Sequence, residues 1–427
     1  MTEIFLHYVW QHRHFDFLNA RTTKGKLINI KHTGIYNTNA GPDFTQAIIE
    51  IDDITWVGNV EIHIKSSDWF KHKHHTDGKY KSVILHVVYE SDMDVIIDSN
   101  YLVPTLELKN LISLKMFDAY KRLIMQPDIL LCRNYLPNVD SLILTSQLSS
   151  LLIERILKKT KQAQSVLEIC KYDWNELIYR VLAKTFGCKT NSYAFEFLTQ
   201  NLPYKIISKH SDSLLQLDAL FFGVAGFLQE SDGSEYMEKL MYEYAYLKHK
   251  YGLISIDGSC WNMLRLRPQN FPTIRIAQFS ALMHNTKGFI SDWVLGADVE
   301  SLKLWLMVSP DDYWQTHYRF GKSSAKHSVS LGEQTIFSIF INTIILLRFL
   351  YAKNTGNNEL QEKALRLYEY FPFENNKTTR VVKDSAFKLE HSGDSQAIME
   401  LLTQYCLQKR CLKCAIGEKI VREIYQM

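Results

Sequence analysis

Three ionisable side chains share one face of a short apolar run, GNVEIHIK at 58–65. Side chains alternate along an extended chain, so Glu61, His63 and Lys65 project to one side and Val60, Ile62 and Ile64 to the other. Just upstream, GPDF at 41–44 bends the chain through Gly41 and Pro42 and sets Asp43 at the head of the preceding apolar run. A hairpin between the two runs would bring the Asp43 carboxylate beside Glu61. Two close carboxylates repel and raise each other's pKa unless a cation lies between them. A hard divalent ion, Mg²⁺ or Mn²⁺, held by Asp43, Glu61 and the Ile62 carbonyl would relieve that repulsion and activate a bound water. His63 or Lys65, on the same face, would accept the proton of that water. The plainer reading of the same residues is an Asx turn at Asp43 leading into a structural strand.

The following stretch, KHKHHTDGK, adds His72, His74, His75 and Asp77, and His86 sits in the next apolar run. These histidine spacings match no common zinc pattern; they suit a proton shuttle, phosphate contacts or a polar helix surface. His74 and Asp77, three apart, are read as a catalytic pair or a helix-surface pair. His86, between Leu85 and Val87, reads as a core histidine. Glu3 is either an additional acidic ligand or a solvated residue. Further along, LRLRPQNFPTIRIAQ offers Arg265, Arg267 and Arg275 as phosphate forks or as braces between helices. Near the C-terminus Cys406, Cys411 and Cys414 are spaced C-x4-C-x2-C, a partial ligand set for Zn²⁺ or an iron–sulfur cluster that Cys132 would complete from a distance.

Period-2 and period-3.6 patterns supply the elements that must position these groups. A helix is expected over 3–18, then strands over 26–32, 44–52, 55–65, 82–90 and 105–109, with a short helix over 67–79 between the third and fourth. Beyond residue 112 the pattern is helical almost throughout. The expected fold is α+β: an N-terminal α/β core with a mixed sheet over 1–112, a connector over 113–140, and a large, mainly helical domain over 141–427 that ends in the cysteine cluster.

With 427 residues, 46% of them hydrophobic, the chain can build more than one core. A net charge of +3 is too weak a field to bind nucleic acid without local patches. The start, MTEIFLHYVWQHRHFDF, lacks the pattern of a signal peptide, and the seven cysteines do not suggest a disulfide framework, so a cytoplasmic protein is expected. The most apolar segment, from 336, is broken by Asn342 and Arg348 and is expected to be a buried helix rather than a membrane span.

Asp at the head of one strand and Glu-x-Lys in the next resembles the PD-(D/E)XK nuclease superfamily. GPD at 41–43 is similar to its PD element and EIH at 61–63 to its (D/E)XK element, with His63 standing where lysine is usual. The histidine-rich stretch that follows is similar to the very-short-patch-repair branch of that superfamily. The resemblance covers roughly the first 110 residues and implies a restriction-endonuclease-like core, Mg²⁺ at Asp43 and Glu61, and DNA or RNA as the partner. Across its length the chain also resembles an uncharacterised bacterial family, a domain of unknown function, through the blocks NAGPDF, GNVEIH and RPQNFP and the cysteine cluster. Three readings follow: a metal-dependent nuclease, a degenerate nucleic-acid-binding or scaffold protein of the same fold, or a structural metalloprotein organised by the cysteines.

Overall fold

A computed structural model describes residues 1–37, 39–97 and 101–426. The fold is mixed α+β, with a mixed sheet near the N-terminus and a large helical part after it. The chain forms two compact units. One comprises Met1–Leu148, Lys377–Lys388 and Met399–Met427; the other comprises Ser149–Asn376 and Leu389–Ile398.

In the first unit, α1 (Glu3–Gln11) begins at Thr2, whose side chain accepts from the Phe5 N–H. It stops well short of the expected residue 18, since Arg13 takes a positive φ of 53° that no α-helix continues through. Five elements of the sheet follow in sequence: β1 (Ile28–His32), β2 (Ile35–Tyr36), β3 (Phe44–Ile51), β4 (Ile54–Lys65) and β5 (Val83–Glu90), with β6 (Thr105–Glu107) on the far edge. The spatial order is β1-β3-β4-β5-β6, with β2 also paired to β3. β4 is antiparallel to β3 and parallel to both β5 and, through it, β6. Its twelve residues do two jobs: the first half is the exposed arm of a hairpin, and Val60 to His63 are buried in the sheet.

Because β4 and β5 are parallel, the chain must cross from one end of the sheet to the other between them. That crossover consists of the single turn α2 (Asp68–Lys71) and two 3-10 turns, His74–Thr76 and Gly78–Ser82. The continuous helix expected over 67–79 is broken at Lys73, whose φ of 61° is left-handed, and Asp77 restarts the chain by accepting from the Lys79 N–H. Trp69, fully buried, anchors the crossover against Tyr80 and Val83.

The division between units falls elsewhere than at 112–140. Helix α3 (Leu114–Ile124) buries Met116, Ala119, Tyr120 and Leu123, and Tyr120 stacks on Phe5 of α1 at 5.7 Å, so this segment is part of the first core and not a connector. The C-terminal helix Ala415–Gln426 also packs on α3, which returns the cysteine cluster to the first unit. Helical periodicity marks where a helix starts, but nothing in it says which core the helix will join.

The second unit buries one large apolar core in which Phe279, Tyr179, Phe221 and Phe340 are fully covered. The apolar segment read from 336 lies in the helix Glu333–Asn354, which has the length and composition to cross a membrane; 67% of its most apolar window is buried inside the protein.

Candidate metal centre

The GPD turn presents Asp43 through backbone constraint. Gly41 sits at φ 122°, a region that L side chains rarely adopt, and Pro42 behind it is buried. One residue past Phe44 a β-bulge begins: Phe44 pairs with Val60 and Ala47 with Gly58, leaving one extra residue on β3 where Gln46 takes φ 57°. Asp43 thus reaches across to β4. Its Oδ2 accepts the Ile62 N–H at 3.0 Å, while its own N–H donates to Glu61 Oε2 at 3.0 Å.

The other oxygen of Glu61, Oε1, faces the crossover. His74 Nε2 lies 3.2 Å from it and His63 Nε2 3.7 Å. His63 Nε2 is also 3.1 Å from His72 Nδ1, and His63 Nδ1 is 2.9 Å from His86 Nε2. Ligand atoms of His63, His72 and His74 all lie within 4.8 Å of one another, the one such group among the described residues. For a tetrahedral ion bound at ~2.0–2.1 Å, neighbouring ligand atoms stand roughly 3.3 Å apart. The His63–His72 separation of 3.1 Å is close to that value, and Glu61 Oε1 stands 3.2 Å from His74 and 3.7 Å from His63.

From the side, α1 contributes two groups one helical turn apart. His7 Nε2 approaches Asp43 Oδ2 at 3.2 Å, yet off the line of a hydrogen bond, and both its ring nitrogens are buried without a partner. Glu3 is close enough that His72, His7 and Asp43 all act on its charge; partial burial is the stronger influence and raises its pKa. Among the described residues, the partners of Asp43 and Glu61 are imidazoles and backbone N–H groups. Side-chain exposure falls from 23% at Asp43 to 6% at Glu61 and 2% at His63, while His72, against His63, is exposed at the surface.

Burial dominates the electrostatics. It raises the pKa of Glu61, an effect that the nearby Asp43 charge adds to and the His74 hydrogen bond offsets. It pushes His63 down to about 2, with the neighbouring His86, His74 and His72 adding to the effect, and His86 down to about 3. His63 was expected to act as a base near neutral pH; enclosed in this way it stays neutral and is a poor proton acceptor. A neutral imidazole is, however, the form that binds a metal. If His63 Nδ1–H donates to His86 Nε2, the lone pair of His63 Nε2 is left facing the cluster, and His86 then orients the ligand. Beneath the rings Trp69 packs edge-on to His74 and His86, and Tyr80 stacks on His74 at 3.8 Å. Burial and the Glu61 charge push the Tyr80 hydroxyl up to about 12.

A family model described as "Protein of unknown function (DUF2851)" matches residues 3–377. The chain belongs to that family. No curated protein and no solved structure matches it. The matched region holds every residue of the cluster in this DUF2851 protein and ends before the C-terminal cysteines.

Of the residues singled out from sequence, Asp43, Glu61, His63 and His74 are brought together, with Glu3 at the edge. Lys65 is not: it is exposed where β4 ends, opposite Glu90 of β5. Asp77 is an exposed turn cap and does not share a helical face with His74. His72 was read from sequence only as one of the histidines suited to a proton shuttle, phosphate contacts or a polar helix surface, and His7 was not singled out. The signal for His72 lay in the His-rich stretch, hidden because the helix there ends after one turn, at His72, and a left-handed Lys73 then redirects the chain to His74. His7 gave no local signal, since its partner is 36 positions away.

The three arginines of the RPQNFP block do not form one group. Arg265 and Arg267 are exposed, whereas Arg275 is buried in the second unit. The cysteines fare differently: Cys132, Cys406, Cys411 and Cys414 are all buried in the first unit. Burial, followed by mutual repulsion with Cys414 and its neighbours, pushes Cys132 and Cys411 up to about 12. Their ligand atoms are more widely spread than those of the histidine group.

Proposed function

We propose that this protein is a divalent-metal-dependent phosphodiesterase acting on nucleic acid, with the ion held by His63, His72 and His74 beside Glu61. The observation that carries this reading is the convergence of two carboxylates and four imidazoles from α1, the β3–β4 mouth and the crossover, with no lysine or arginine partner among the described residues. Buried charges persist only when paired or metal-bound, and imidazoles cannot fully neutralise two carboxylates at neutral pH. A nitrogen-rich donor set suits Mn²⁺ or Zn²⁺ better than Mg²⁺, which prefers oxygen.

In this arrangement the three imidazoles would hold the ion, and Glu61 Oε1 would take the proton of the attacking water. Asp43 locks Glu61 through the reciprocal backbone hydrogen bonds. The ion supplies Lewis-acid polarisation of a phosphoryl oxygen. The nucleic-acid substrate rests on the resemblance of GPD and EIH to the PD-(D/E)XK elements. A second reading, a silent nucleic-acid-binding or scaffold protein of that fold, has one observation in its favour: His63, in the usual lysine position, has both ring nitrogens engaged.

Purified protein incubated with single- and double-stranded DNA and RNA, with Mn²⁺, Zn²⁺ or Mg²⁺, separates the two. The phosphodiesterase cleaves, best with Mn²⁺ or Zn²⁺, and loses cleavage in Asp43→Ala and Glu61→Ala. Binding without cleavage under every metal selects the scaffold. The buried thiols are a second place for a thiophilic metal, Zn²⁺ or an iron–sulfur cluster; elemental analysis and visible absorption of the Cys411→Ser/Cys414→Ser variant against the parent tests that.

A further inference from the structure

In the second unit, Arg275 is 6% exposed on the helix Pro272–Thr286. Its Nη1 donates to Gln278 Oε1 at 3.0 Å and its Nη2 to Asn270 Oδ1 at 2.6 Å and Thr335 Oγ1 at 3.3 Å. All three acceptors are neutral, and Nε has no partner. A buried guanidinium without an anion is costly, because neutral dipoles recover only part of the lost hydration.

A cavity of about 220 Å³ opens beside it. Arg275, Gln278, His327, Ser328, Ser330 and Thr335 are among the side chains that line it, and no aspartate or glutamate does. His327 stacks flat on Tyr318 at 3.8 Å, and its Nε2 is buried without a partner, a second nitrogen awaiting a ligand. Ser328 and Ser330 hydroxyls touch each other at 2.8 Å, so at least one proton is free to turn inward. Leu331 and Gly332, also in the lining, lead into the helix Glu333–Asn354, whose start has no side-chain cap. Uncapped N–H groups and the positive end of the helix dipole favour an anion there.

We infer that this cavity is a binding site for a phosphate-type oxyanion, either free or as the terminal phosphate of a larger molecule. The donors are of one sign and come from three directions: the Arg275 guanidinium, the Ser328–Ser330 hydroxyls with His327, and the helix start. A tetrahedral anion with several acceptor oxygens can satisfy all of them together, whereas a planar carboxylate offers too few. The site lies entirely within the second unit and does not depend on the metal centre.

The test is a melting measurement on the full chain at constant ionic strength, with potassium chloride, inorganic phosphate, a nucleoside 5′-monophosphate or the parent nucleoside. Phosphate is expected to raise the midpoint by several degrees over chloride, and the nucleoside to do nothing. A shift with inorganic phosphate alone identifies a free anion; a shift with the monophosphate as well identifies a terminal phosphate. Since Arg275→Gln could fail to fold, the decisive variant is Ser330→Glu at an exposed position, which places a carboxylate at the cavity. It should melt higher than the parent in chloride and bind phosphate at least tenfold more weakly by calorimetry. No phosphate effect in the parent, or an undiminished one in Ser330→Glu, overturns the assignment.

Discussion

The Asp43 N–H donates to Glu61 Oε2 and the Ile62 N–H donates to Asp43 Oδ2, each at 3.0 Å. Each carboxylate is therefore fixed by the peptide that adjoins the other, and the pair needs no basic side chain to stay together. The substitution Glu61→Gln keeps an acceptor for the Asp43 N–H but removes the charge and the basic oxygen. It is expected to lower Mn²⁺-dependent cleavage by at least about 100-fold, the scale of lost general-base catalysis, while leaving the melting midpoint nearly unchanged. Turnover and thermal melting on one preparation check both halves.

The turn that delivers Asp43 depends on Gly41. A Cβ there would meet nothing closer than Asn37 Nδ2 at 3.7 Å, so the cost of Gly41→Ala is backbone strain at φ 122° rather than collision. Destabilisation of roughly 1–3 kcal/mol is expected, with a loss of metal affinity as Asp43 moves. Urea unfolding and metal titration of the variant measure the two effects.

Trp69 is wholly buried beneath the histidine rings. Trp69→Ala should destabilise by about 3–5 kcal/mol and loosen the crossover that carries His72 and His74. Trp69→Phe should cost less and retain metal binding. Co²⁺ absorption, which reports ligand geometry, distinguishes a displaced site from an intact one.

Away from the metal centre, Asp218 is buried with Tyr236 donating to its Oδ2 at 2.8 Å and no partner on Oδ1. Burial raises its pKa to about 7 from 3.8. Between those values the folded protein keeps a proton that the unfolded chain has released, so this residue's contribution falls as pH rises and is lost above pH 7. The substitution Asp218→Asn should be neutral below pH 4 and stabilising by a few kcal/mol, to order of magnitude, above pH 7. Denaturant unfolding across that range gives the profile.

Much of the first unit was legible in the chain itself. The strand-like runs at 44–52, 55–65 and 82–90 located β3, β4 and β5 within a residue or two: β3 largely alternates between buried and partly exposed positions, and β5 is a near-continuous apolar run buried on both faces. The convergence of Asp43 and Glu61 followed from the hairpin. What escaped was set by non-local geometry. His72 closes the single turn α2 and His74 is aimed by Lys73 in a left-handed conformation, His7 reaches the site from another element, and Cys132 meets the C-terminal thiols only because the last helix returns to α3. Arg275 was read with Arg265 and Arg267 as phosphate forks or helix braces, and only burial separates it from the other two.

The most direct test of the metal centre is anomalous diffraction at the Mn or Zn edge from crystals grown with that ion. A peak about 2.0–2.3 Å from His63 Nε2, His72 Nδ1 and a ring nitrogen of His74, with Glu61 beside it, is the expected result. Density for the ion only at the cysteines, or none at either place while the imidazoles keep their mutual hydrogen bonds, would contradict it.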